Sequence, residues 1–256
     1  MKIKMIVTDL DRTLLKDDKT VSNYTLHVLE KLRERGIPFV IATARPIRTV
    51  REPLGFLRFD AAVYHNGAVI MAGDSLLAKY GIASPTSIIA ALLKDRPEIN
   101  ISVESNDRMY SNMSAEELWP GVQYTMTVDF HETAGMIADK ILLEANSPEE
   151  MAELEPYVPA EAYLQLSENS VAMMMDRQAT KLNGVRILAA HYGVGLEEIA
   201  AFGDDYNDID MLTACGVGVA VENALPEVKN AANIICGSNQ EDGVARWIAE
   251  NILTND

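Results

Sequence analysis

Two aspartates one residue apart, Asp9 and Asp11, close the apolar run MIVTDLDRTLL. An unpaired buried carboxylate is costly and a second beside it costs more, so such a pair needs compensating positive charge. A second acidic run, GDDYNDIDM, supplies Asp204, Asp205, Asn207 and Asp208. Thr43, Ala44 and Arg45 follow another apolar run, and Lys181 opens a helical stretch. Four converging carboxylates repel one another unless a cation sits among them, and a hard divalent ion with oxygen ligands, Mg²⁺, suits such a set. With a metal and a lysine in place the site suits an anion such as phosphate, and one carboxylate can attack phosphorus.

These residues meet only if their strands lie side by side. Residues 3–9, 37–43 and 61–67 read as strands of a parallel sheet, continuous in apolar residues rather than alternating. Ser22 N-caps a helix running to about Arg35, Gly36 closes it, and a short helix starts near Pro46. The carboxyl ends of such strands are where α/β sheets bind ligands. Those ends deliver Asp9 and Asp11, then Thr43, Ala44 and Arg45, then His65, Asn66 and Gly67. On a regular strand Asp11 would face away from Asp9, so the chain must leave strand geometry after Leu10, which the turn-prone DRT permits.

After about residue 80 the rhythm changes. SPTSIIAALLKD reads as a helix, a turn at Asn106-Asp107 joins two short strands, DKILLEA is a strand and SPEEMAELEPYV a helix. AYLQLSENSVAMMMD gives two more strands, in hairpin style. From about residue 180 helices and strands alternate again: KLNGVRILAAHYG, LEEIAAFGD, NDIDMLTACG, VGVAV, ALPEVKNAA, NIICG and EDGVARWIAENIL. The expected organisation is an α/β domain from residues 1–80 and 180–256, interrupted by an α+β insert at 81–179.

The chain has 256 residues, 48% hydrophobic and 23% charged, and a net charge of -16. That composition suits a globular protein and argues against nucleic acid or an anionic membrane as partner. An anionic substrate would then need local positive charge or a metal. Cys215 and Cys236 have no metal-type spacing and read as buried free thiols. The early acidic residues and the lack of a long apolar run lead us to expect neither a signal peptide nor a membrane span, and a cytoplasmic location.

Asp9-Leu10-Asp11-Arg12-Thr13, Thr43, Lys181 and Gly203-Asp204-Asp205-Tyr206-Asn207-Asp208 together resemble the haloacid dehalogenase (HAD) superfamily. The large insert after the third strand resembles its Cof-type sugar-phosphatase branch. The resemblance spans essentially the whole chain and implies a Rossmann-like parallel core, the HAD fold, with an inserted α+β cap. It implies that Asp9 attacks phosphorus and forms an aspartyl-phosphate. Asp11 would protonate the leaving oxygen, then deprotonate the hydrolytic water. Mg²⁺ would be held by the Asp9 carboxylate, the Asp11 carbonyl and Asp204, with Asp208 orienting waters or Lys181. Thr43, the Ala44 N–H, Lys181, Asn207 and the backbone around Leu10 would hold phosphoryl oxygens. The implied substrate is a small phosphorylated metabolite, with the cap closing over it. Two departures stand out: Arg12 and Ala44 replace glycines common in the family.

Plainer readings apply to other residues. Asp205 and Asp210 read as capping or surface residues, His65 as a packed strand-end side chain, Met173–Met175 as core of the insert, and RERG at 33–36 as a solvated helix end. A phosphosugar mutase or phosphoglycolate phosphatase would use the same nucleophile and metal. A receiver-type signalling module also carries an aspartyl-phosphate, but an acid-base group such as Asp11 beside the nucleophile would shorten its life. Nothing in the sequence sets an oligomeric state.

Overall fold

The computed structural model describes residues 2–51, 53–167 and 171–254. They form two units, Met1–Lys79 with Thr180–Asp256, and Tyr80–Ala179.

The first unit opens with β1 (Met5–Thr8), α1 (Asn23–Glu34), β2 (Phe39–Ala42), α2 (Arg48–Arg51) and β3 (Ala61–Tyr64). Every residue of β1, β2 and β3 is buried, as their unbroken apolar sequences require of strands covered on both faces. The Ser22 hydroxyl accepts the Thr25 N–H at 3.1 Å and so caps α1. Beyond β3 the structure adds a hairpin, β4 (Val69–Ala72) and β5 (Ser75–Lys79), turning at Gly73-Asp74. The expected parallel sheet is therefore mixed. A Gly-Asp dipeptide between two short strands is a hairpin signal.

The second unit comprises β6 (Ile82–Ala83), α3 (Pro85–Asp95), β7 (Ile101–Ser105), β8 (Arg108–Ser111), β9 (Thr125–Met126), β10 (Ile137–Ala138), β11 (Lys140–Glu144), α4 (Pro148–Ala152), β12 (Ala162–Ser167) and β13 (Val171–Asp176). Its main sheet runs β12-β13-β11-β7-β8-β9, antiparallel except at β8–β9. Asn106 (φ 51) and Asp107 (φ 60) make the β7–β8 turn, where consecutive positive φ values match the twist of the strands. The helix expected over 147–158 stops at Ala152, and a 3₁₀ turn at Glu155–Tyr157 contains Pro156, which cannot extend an α-helix. Ile89, Leu92, Val103, Ile141 and Met174 pack in this unit's core. Met173 and Met175 lie on the opposite face of β13 and are also buried.

The first unit resumes with α5 (Lys181–Tyr192), β14 (Ile199–Gly203), α6 (Ile209–Ala214), β15 (Val217–Ala220), α7 (Pro226–Ala231), β16 (Ile234–Ile235) and α8 (Gly243–Ile248). The sheet order is β16-β15-β14-β1-β2-β3-β4-β5, parallel from β16 to β3. Thr8 pairs with Phe202 on one side and Ile41 on the other, which aligns the carboxyl ends of β14, β1 and β2. Gly67 (φ 117) lets α5 approach: a Cβ there would lie 2.3 Å from the Thr180 carbonyl oxygen, one residue before Lys181. Both cysteines are free, Cys215 buried and Cys236 half-buried, and burial pushes each thiol up to about 12. No helix among the described residues is long and apolar enough to cross a membrane.

Candidate active site

Asp9 follows β1 directly, its N–H donating to the Phe202 carbonyl at 2.9 Å. The chain then leaves strand geometry. Residues Leu10–Leu14 form a tight turn closed by the Leu15 N–H on the Leu10 carbonyl at 2.8 Å. Arg12 carries the turn at φ 58. The position that glycine commonly fills is thus left-handed here and arginine occupies it under strain. An L-residue there costs roughly 1–2 kcal/mol, part of which glycine would give back in unfolded-chain entropy. Arg12→Gly is therefore expected to raise the unfolding free energy by about 0.5–1 kcal/mol in urea denaturation. Ala44, by contrast, is not among the residues with positive φ, so the backbone there accepts its Cβ.

Asp9, Asp204 and Asp208, all buried, bring carboxylate oxygens within 4.8 Å of one another. Lys181, 2% exposed, lies among them, its Nζ 2.7 Å from both Asp9 Oδ1 and Asp208 Oδ1. Thr180 caps α5 by accepting the Asn183 N–H at 3.1 Å and so sets the start of the helix that carries Lys181. Burial opposes the Lys181 charge, but the Asp208 and Asp9 carboxylates outweigh it and hold the ammonium above its ordinary value. Burial foremost, against the pull of Lys181, raises Asp9 well above the usual carboxylate range. Burial and the Asp208 charge push Asp204 up to about 6, against a hydrogen bond from Thr13. That bond runs from Thr13 Oγ1 to Asp204 Oδ1 at 2.7 Å and ties the two acidic loops together.

Asp208 is an organiser. Its Oδ2 accepts the N–H groups of Asp204 at 3.0 Å and Asp205 at 3.2 Å while its Oδ1 holds Lys181. Only glycine fits at Gly203, where a Cβ would fall 2.4 Å from Asp208 Cβ. Asp205 caps the turn by accepting the Tyr206 N–H at 2.8 Å, and Asp210 is exposed.

Asp11 stands apart from the triad. Arg45 grips it with two bonds, Nε to Oδ2 and Nη2 to Oδ1, both 2.6 Å, and Lys19 Nζ reaches Oδ1 at 2.9 Å. Burial would raise its pKa, yet these two cations hold it below the usual carboxylate range. The expectation of four converging carboxylates is thus corrected to three, because the forked Arg45 guanidinium offers Asp11 a better partner than three like charges. Thr43 is buried at the end of β2, and its hydroxyl accepts the Arg45 N–H at 3.1 Å. Asn207 Nδ2 donates to Asn66 Oδ1 at 3.1 Å. His65 is buried, its N–H on the Arg45 carbonyl at 3.1 Å. Leu10 is buried within the turn.

The sequence of this chain matches the family model of haloacid dehalogenase-like hydrolases over residues 6–248. The chain belongs to that family. A Haemophilus influenzae protein provisionally designated a phosphatase is 30% identical over 98% of each chain. A Bacillus subtilis 5-amino-6-(5-phospho-D-ribitylamino)uracil phosphatase is 29% identical over 96% of each. Among solved structures, a HAD subclass IIB sugar phosphatase superposes with a TM-score of 0.84 at 25% identity, over 96% of this chain and 98% of that one. This HAD-like hydrolase is a phosphatase. Phosphatases of the family generally use a divalent metal, and the buried acidic triad belongs to the same unit as the turn that carries Asp11.

Proposed function

We propose that this phosphatase hydrolyses small phosphorylated metabolites, sugar phosphates among them, with Mg²⁺ and through an aspartyl-phosphate on Asp9. The observation that carries this reading is Lys181 Nζ bridging Asp9 and Asp208 within the buried acidic triad. An all-carboxylate donor set facing a single ammonium keeps excess negative charge, and Asp204, pushed up to about 6 by burial and then by the Asp208 charge, stands among these donors. Those donors fit a hard divalent cation. Asp9, Asp204 and the Asp11 carbonyl would hold it, and it would neutralise charge on phosphoryl oxygens as a Lewis acid.

One Asp9 carboxylate oxygen attacks phosphorus, and the bond from phosphorus to the ester oxygen breaks. The Asp11 carboxyl gives its proton to that leaving oxygen. In the second half a water oxygen attacks the same phosphorus, Asp11 takes the water's proton, and the Asp9–phosphorus bond breaks to release phosphate. The low-pKa state of Asp11 paired with Arg45 suits the water step. Protonating the leaving group requires that pair to loosen, which raises the Asp11 pKa. Lys181, Thr43, the Ala44 N–H, Asn207 and the Leu10 backbone hold the phosphoryl oxygens. Thr43 is suited to this because its hydroxyl, already accepting from Arg45, keeps its own proton to donate.

The sugar phosphatase likeness and the phosphorylated ribityl substrate of the Bacillus relative support a small, hydroxylated leaving group. A net charge of -16 and free thiols accord with no nucleic acid or membrane partner and with the cytoplasm. Phosphate release from a panel of phosphorylated metabolites, with Mg²⁺ and with EDTA, tests the reading. Release is expected only with Mg²⁺, and Asp204→Asn should lower it by at least about 10²-fold. Activity unchanged in EDTA would refute the metal. A stable phosphorylated Asp9 with no release would point to a mutase or receiver instead.

A further inference from the structure

The turn that carries Asp11 is gripped by two asparagines far away in sequence. Asn223 Nδ2 donates to the Arg12 carbonyl at 2.7 Å, and Asn223 Oδ1 accepts the Asn239 N–H at 2.9 Å. Asn239 is 3% exposed, and its Nδ2 donates to the Leu15 carbonyl at 3.0 Å and Asp17 Oδ1 at 3.1 Å. The turn is thus held at Arg12 and again just past its end. Two residues beyond Asn223, the Leu225 N–H donates to the Asp204 carbonyl at 3.0 Å. The stretch after β15 is therefore bonded to both acidic loops.

The grip falls where the turn is least able to hold itself. Arg12 sits at φ 58, a conformation from which a non-glycine residue relaxes toward the right-handed regions. Any such relaxation rotates the peptide joining Arg12 to Asp11 and moves the Asp11 carboxyl. Asp9 lies outside the turn, its N–H bonded into the sheet at Phe202, whereas Arg45 and Lys19 hold the Asp11 carboxylate and the two asparagines hold the backbone just beyond it.

We infer that Asn223 and Asn239 are positioning residues that hold the strained turn so that the Asp11 carboxyl is placed for proton transfer to the leaving group. This rests on the reading of Asp11 as acid and base given above. The grip then matters in proportion to how much the leaving group needs a proton. An alkoxide cannot depart unprotonated, whereas p-nitrophenolate leaves as the anion. The ratio kcat/KM covers steps only through departure of the leaving group, so it isolates this half of the reaction from the water step.

The test compares kcat/KM for p-nitrophenyl phosphate and for the best alkyl phosphate of the panel, in wild type, Asn223→Ala, Asn239→Ala and Asp11→Ala. Both asparagine variants are expected to lose about 10- to 100-fold on the alkyl phosphate and less than about 3-fold on p-nitrophenyl phosphate, the size of effect that misplacing a proton donor produces. Asp11→Ala should show the same pattern more strongly. Asn223→Asp keeps the acceptor for the Asn239 N–H but sets a charged acceptor against the Arg12 carbonyl, so it should release the turn at least as strongly as Asn223→Ala, with its thermal midpoint checking that the fold survives. Equal losses on the two substrates, or none, while Asp11→Ala discriminates between them, would overturn the inference. An Asp11→Ala protein that itself loses both substrates equally would overturn the acid assignment, and the inference with it.

Discussion

Asp9→Asn is expected to lower kcat by at least about 10⁴-fold while leaving the fold intact, since removing a nucleophile deletes the covalent route itself. The substitution is close to isosteric. An amide oxygen at the Oδ1 position still accepts the Lys181 bond that Asp9 accepts at 2.7 Å. What is lost is a negative oxygen able to attack phosphorus. Stability should move the other way. Asp9 is raised well above the usual carboxylate range, with burial the largest cause, so in the metal-free protein its ionised form opposes folding. A carboxylate whose folded pKa is raised contributes stability only at low pH and loses it as pH climbs through that pKa. The neutral amide escapes this loss, so the thermal midpoint at pH 7.5 in EDTA should equal or exceed that of wild type. Mg²⁺ should raise the wild-type midpoint and raise that of Asp9→Asn less, because a ligand stabilises only as far as it binds the folded state. Turnover near the wild-type rate would remove Asp9 from the role of nucleophile, and a collapsed midpoint would overturn the stability argument.

The parts of this molecule that could be read from sequence are those where strand chemistry and site chemistry coincide. An apolar strand that breaks into Asp9, or into Asp204 after β14, announces both the end of the strand and the group placed there. Lys181 was legible as the first residue of the helix that returns to the first unit. Side-chain direction was not legible. The pairing of Asp11 with Arg45 spans 34 positions and depends on rotamers, and Thr13 reaches Asp204 across 191. Thr13 closes the run Asp9-Leu10-Asp11-Arg12-Thr13, yet a hydroxyl in a turn more often caps its own backbone. Asn223 and Asn239 left no signal at all, because asparagine is a common turn residue and nothing local distinguishes one that grips a distant loop. Arg12 had a signal in its place where glycine is usual, and its positive φ follows from the turn that carries Asp11 off the line of β1.

Lys181→Met should be the most damaging single change to stability. In the metal-free protein at pH 8 we expect it to lower the unfolding free energy by about 3–5 kcal/mol, the range for removing one partner of a buried ion pair. Methionine fills similar volume, so the loss is electrostatic rather than a cavity. Asp9, Asp204 and Asp208 would then share a buried space within 4.8 Å with no cation at its centre. Buried carboxylates in that position escape by taking up protons, so the defect must shrink as pH falls. Asp204 already shows the sign in the intact protein. Its pKa goes from 3.8 to about 6 on folding, so its contribution is full below the first value and lost as pH rises through the second. Without Lys181, Asp9 and Asp204 should titrate higher still, leaving the variant closest to wild type near pH 5 and furthest at pH 8. Mg²⁺ at millimolar concentration should recover part of the loss, because it supplies the missing positive charge. Activity should not recover with it: a lysine that holds phosphoryl oxygens is worth about 10²–10³-fold in kcat, and a metal bound elsewhere in the cluster cannot donate its hydrogen bonds. Urea denaturation at the two pH values, with and without Mg²⁺, separates these terms. An unfolding free energy equal to wild type at pH 8 in EDTA would mean that the Lys181 ammonium is not what holds the triad together.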